Sequence, residues 1–231
     1  MANLQLGDSI LKPCRRSRKL IELKLRIKEL ASSLGVNEQL IPTGQAEIDR
    51  LHAFRVLMHA EVQYYLESIV TQVLDVTEQE SSIHARITHA GHHLLVFQAM
   101  NPLATPRTSA KASYPQYSSK DLRANWPATA SSLQKAVEAH RKRVKGNNGI
   151  KVANMNTILL PVGFRDAFFT SRFRDKMDEL GEQRGRVAHG AGALVSSVPT
   201  GRGELQRFLD IEPGLSLADR FVPRLLQPLW R

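Results

Sequence analysis

Apolar residues recur at helical spacing through most of the chain. Over 15–34, Leu20, Leu23, Ile27, Leu30 and Leu34 keep the three-and-four rhythm of a helix with one buried face, and Gly35 supplies a stop. A longer helix is predicted over 45–77 with Thr43 as its cap, its stripe running through Leu51, Phe54, Met58, Val62, Tyr65, Leu66, Ile69 and Val73. A third covers 83–100. Residues 101–118, rich in Pro, Ser, Thr and Tyr, read as a surface connection. A fourth helix over 131–145 ends at Gly146-Asn147-Asn148-Gly149, and 150–170 reads as a short helix and a turn at Pro161 and Gly163. The last predicted helix runs over 166–190. No segment alternates apolar and polar residues as a half-buried strand would.

This pattern predicts an all-α fold: an antiparallel bundle of four to five long helices over 43–190, with an extra N-terminal helix within 1–42 packing on it. The remainder, 191–231, contains Pro199, Pro213, Pro223 and Pro228 and reads as a Pro-rich extension. Its apolar end, Leu225, Leu226, Leu229 and Trp230, is expected to dock on the bundle or on a second subunit.

Composition fits that picture and adds a partner. With 231 residues and 42% hydrophobic content the chain can bury a full core, and its 6% aromatic content favours helix over strand. The single Cys14 excludes an internal disulfide framework and a cysteine zinc site. With no signal peptide or long apolar run, the expectation is a cytoplasmic protein without membrane contact. The net charge of +10 calls for an acidic partner, of which nucleic acid is the commonest. The charge concentrates in Lys12, Arg15, Arg16, Arg18, Lys19, Lys24, Arg26 and Lys28, and again in Arg141, Lys142, Arg143 and Lys145. Each cluster reads either as a solvated helix face or as phosphate contacts. The candidate RNA-binding residues are Arg15, Arg16, Arg18, Lys19, Arg141, Lys142, Arg143 and Arg186.

Candidate chemistry lies at the end of the last predicted helix. On a helical wheel Arg184 falls in the stripe of Phe169, Phe173, Met177, Leu180 and Val187, where a solvated cation does not belong, so it must face a partner or an anion. His189 precedes Gly190 and Gly192, which end the helix and leave the imidazole able to turn back. A permanent cation beside a proton carrier suits chemistry at a phosphodiester. The structural alternative is an ion pair of Arg184 with Glu182, Glu179 or a carboxylate elsewhere, with His189 capping the helix end.

The run from Met177 to Gly190, with Leu159-Leu160-Pro161-Val162-Gly163-Phe164 upstream, resembles the C-terminal motif of HEPN (higher eukaryotes and prokaryotes nucleotide-binding) domains, in particular the RiboL-PSP-like nucleases. Their hallmark is arginine, four to six residues, then histidine, and Arg184 to His189 fits the four-residue spacing. Here Gly185 stands after the arginine, where such nucleases commonly carry Asn. The likeness covers about 45–190. It implies a HEPN-type bundle and a metal-independent endoribonuclease with neither cofactor nor metal. Arg184 would bind the scissile phosphate while His189 moves a proton. The 2'-hydroxyl then attacks, leaving 2',3'-cyclic phosphate and 5'-hydroxyl ends. The resemblance further implies a homodimer with a shared cleft, and a toxin or antiviral defence role with an antitoxin or other defence protein as partner. The alternative within the same family is a non-catalytic module that binds RNA, nucleotide or protein.

Glu61 is the third catalytic candidate. The wheel sets it within about 20° of Phe54, and by the resemblance an acid on the early long helix orients Arg184 or His189. The bland alternative pairs it with Arg50 or Arg55. His84, His89, His92 and His93 include pairs at metal-ligand spacing, but with no Cys nearby and no HExxH pattern they read as solvated or RNA-facing. Gly201-Arg202-Gly203 is too short for a phosphate loop.

Overall fold

The computed structural model describes residues 18–100, 119–188 and 198–229, and every regular element among them is helical. In chain order these are α1 (Arg18–Ser33), α2 (Gln45–His84), α3 (His89–Met100), α4 (Ser119–Ala124), α5 (Trp126–Lys145), α6 (Val152–Leu159), α7 (Ser171–Ala188) and α8 (Gly201–Leu225). Two 3-10 turns, Leu160–Val162 and Asp166–Phe168, join α6 to α7.

The 40-residue α2 is the axis of the fold, about 60 Å long, with α1, α5, α7 and α8 packed along it. Its cap is Gly44, one residue past Thr43. The Glu47 carboxylate accepts the N–H groups of Thr43 and Gly44 at 2.8 and 2.9 Å, which hydrogen-bonds amides the helix leaves open. α2 runs past 77 because Thr77 is itself buried, its hydroxyl 2.8 Å from that of Thr88. It stops at Ala85, whose φ of 50° is left-handed. The segment predicted to open the third helix at 83 therefore belongs to α2, and α3 starts at His89.

The tail corrects the sequence reading most. It is a 25-residue helix, α8, that lies against α2, α7 and α1. Phe208, Ile211, Leu215, Ala218, Val222 and Leu225 fall on one face and are all buried. Pro213 and Pro223 sit on the exposed side, where water can bond the carbonyls they leave free. Gly214 allows α8 to approach α7 closely: a Cβ there would overlap the Phe173 ring. Thr200 caps α8 by accepting the Gly203 N–H at 3.1 Å.

The last predicted helix also starts later than its pattern suggested. Phe169 is extended and buried, so α7 begins at Ser171. Gly163, at φ 103°, makes the sharp turn that Pro161 and Gly163 announced.

Candidate functional site

The buried stripe of α7 is Phe173, Met177 and Leu180, and Arg184 follows it one turn on, half-buried. No carboxylate pairs with Arg184 among the described residues, because its neighbours are engaged elsewhere. Glu179 binds Lys176 at 2.7 Å and Arg207 of α8 at 2.5 Å, and Glu182 reaches Lys151 at 3.7 Å. The hydrogen bond from Lys176, outweighing burial, holds Glu179 below the usual carboxylate range.

The residue the structure brings to Arg184 is His59 of α2. It is 3% exposed, and burial together with the Arg184 charge pushes its imidazole down to about 4. His59 is therefore neutral at pH 7 and neither neutralises nor repels the guanidinium. A Cβ at Gly185 would meet none of the described residues within 4 Å.

One turn before His59 on α2 lies a buried ion pair. Arg55, 3% exposed, donates two hydrogen bonds to Glu204 of α8, 1% exposed, with Nε to Oε2 at 2.9 Å. Arg207 adds a third contact to Glu204 at 3.3 Å and continues to Glu179, so a charged chain ties α2, α8 and α7 together at the Arg184 end. His59 was absent from the candidates read from sequence. Its signal was available: it stands three before Val62 and seven before Leu66, both in the buried stripe.

Glu61 is placed elsewhere. Two residues from His59, it points to another side of α2 and accepts Arg26 Nε of α1 at 3.0 Å. It lines a cleft of about 350 Å³ between α1 and α2 with Arg26, Tyr64 and Ser68. Neither the role of orienting Arg184 nor the alternative partners Arg50 and Arg55 match this contact. His189, Arg15 and Arg16 lie outside the described residues, as does the side chain of Arg186.

The basic clusters are partly engaged within the chain. Arg18 pairs with Glu22 at 2.9 Å, Lys24 with Glu212 of α8, and Lys19 is half-buried at the edge of the α1–α2 cleft. In the second cluster Arg141 binds Asp75 and Glu78 at 2.9 and 2.6 Å, and Arg143 lies 5.3 Å from the Phe97 ring centre, its pKa lowered by burial. Lys142 and Lys145 remain exposed. Arg141 thus ties α5 to α2, and Arg143 ties α5 to α3.

Among the described residues no group of three His, Cys, Asp or Glu side chains stands close enough to hold a metal ion. Nor, among them, is any helix long and apolar enough to cross a membrane. Comparison with family models, curated proteins and solved structures gives no match.

The buried imidazoles make stability pH-dependent. His140 of α5, fully buried with Nε2 2.9 Å from the Ile158 carbonyl, is also pushed down to about 4, chiefly by burial. A histidine lowered in the fold is protonated first in the unfolded chain. Its contribution is complete above about pH 6.5 and falls away as pH drops toward 4, by up to about 3 kcal/mol per ring. Urea midpoints should therefore fall steadily between pH 7 and pH 5. A flat profile over that window would mean that His59 and His140 titrate as solvated rings.

Proposed function

We propose that this chain is a HEPN-type, metal-independent endoribonuclease. The observation that carries the proposal is Arg184: half-buried at the end of α7, without a carboxylate among the described residues, and near enough to a buried, neutral imidazole for its charge to be felt there. A cation so placed keeps its charge for an anion. In this reading Arg184 holds the scissile phosphate and stabilises the charge that builds on its non-bridging oxygens. His189, five residues on, carries the proton between the attacking 2'-hydroxyl and the leaving 5'-oxygen.

By the same resemblance the chain works as a homodimer whose two arginine-histidine motifs share a cleft, and its context is a toxin or defence system with a protein that restrains it. That Glu61 is spent on Arg26 favours a second reading, a HEPN module that binds RNA without cutting it. Labelled RNA incubated with chelator separates the two. The nuclease reading expects cleavage with 2',3'-cyclic phosphate ends, reduced about 100-fold or more in Arg184→Ala and in His189→Ala. Retention of RNA with no cleavage would select the binding module, and equal cleavage by both variants would remove this site from the chemistry.

A further inference from the structure

A second cationic cluster lies at the opposite end of α7. Arg165 precedes α7, and from Ser171 to Arg184 the helix rises about 20 Å, so the two regions are well separated. Three segments are clamped together there. The His89 N–H donates to Gln227 O at 3.0 Å and the Leu229 N–H to Ile87 O at 2.8 Å, fixing the start of α3 to the end of α8. The loop from Gly163 to Phe169 closes the group, with His93 packed directly on Gly163.

The cluster is rich in positive groups and poor in negative ones. Arg165 and Arg224 are exposed, and neither has a carboxylate partner among the described residues; the neighbouring Asp166 is held by Arg174 at 2.7 Å. His89 and His93 are half-buried beside them. Burial first, then Arg224 and His92, lowers His89; burial, then His92, Arg165 and His89, lowers His93 to about 4. Burial is the larger cause for both rings, and the neighbouring positive groups act in the same direction. Aromatic rings belong to the same cluster. Phe168 and Phe221 are half-buried with centres 4.3 Å apart, and the Arg224 guanidinium lies 6.0 Å from the Phe221 ring centre.

We propose that Arg165, Arg224 and His89 bind a phosphodiester of a single-stranded nucleic acid whose base stacks at the Phe168–Phe221 pair. Guanidinium groups take the phosphate oxygens while a ring face takes the base without regard to sequence, the combination that single-strand binding requires. This site goes beyond the cleavage reading and holds whether or not Arg184 cuts RNA.

The test uses a fluorescein-labelled DNA twelve-mer, which has no 2'-hydroxyl and so reports binding apart from cleavage. The combined Arg165→Ala, Arg224→Ala variant is expected to bind about tenfold or more weakly, with a salt slope shallower by about one to two. Phe168→Ala should weaken the DNA while leaving competition by inorganic pyrophosphate unchanged. Wild-type affinity and slope in the double variant would overturn the site. DNA binding indifferent to Phe168→Ala, with pyrophosphate held through the same arginines, would overturn the strand and leave a site for free phosphate.

Discussion

Arg184→Lys is expected to lower RNA cleavage by about 100-fold or more without a change in melting temperature. A half-buried lysine keeps the charge, so loss of activity would trace to geometry. The guanidinium presents a planar fork to two phosphate oxygens, whereas an ammonium is a compact point charge whose stem would have to bend from the edge of the apolar stripe. His59 sharpens the contrast, since a neutral ring beside Arg184 supplies no charge of its own to compensate. Single-turnover cleavage in chelator, with RNA affinity measured in parallel, is the check. A lysine variant that cuts at the wild-type rate would mean that charge alone suffices, and the two-point grip would have to be given up.

The second large effect concerns stability. Glu204→Ala should cost about 3 to 5 kcal/mol, because it leaves the Arg55 guanidinium buried with no carboxylate to answer it. Replacing both partners, as Arg55→Met with Glu204→Leu, should cost much less, since no charge is then stranded. Urea unfolding of Arg55→Met, of Glu204→Leu and of the two combined gives the coupling directly. A loss below about 1 kcal/mol for Glu204→Ala would mean that water reaches Arg55.

The sequence made the helices of the bundle legible where one face alone is apolar. Leu20, Leu23, Ile27 and Leu30 of α1, and Phe173, Met177 and Leu180 of α7, are buried as their spacing predicts. It misled where two rules competed. Pro213 and Pro223 argued against a helix over 201–225, yet the period of Phe208, Ile211, Leu215, Ala218, Val222 and Leu225 was present in the same stretch. Burial of six side chains outweighs two prolines placed on the wet side.

The site was half legible. Arg184 could be singled out because a cation in an apolar stripe is anomalous, but a wheel gives direction and not neighbour. On a helix covered by α1 on one side and by α7 and α8 on others, a carboxylate near the stripe edge meets whichever helix lies there. For Glu61 that helix is α1, which the resemblance over 45–190 leaves out, and the partner is Arg26. His59 stands in the apolar period of α2, and only the fold sets it where the Arg184 charge reaches it.

The placement of α8 has a consequence for the timing of synthesis. Gly201 donates its N–H to Leu40 O at 2.8 Å, and Lys24 of α1 reaches Glu212 of α8, so the earliest and latest described helices are neighbours. A growing chain that has already exposed Arg184 still lacks Glu204 and Arg207, and with them the charged chain that fixes α7 against α2. Assembly of the arginine's surroundings thus waits for the ribosome to deliver α8. On the proposed reading, a chain still short of α8 would not yet hold Arg184 in the setting that cleavage needs.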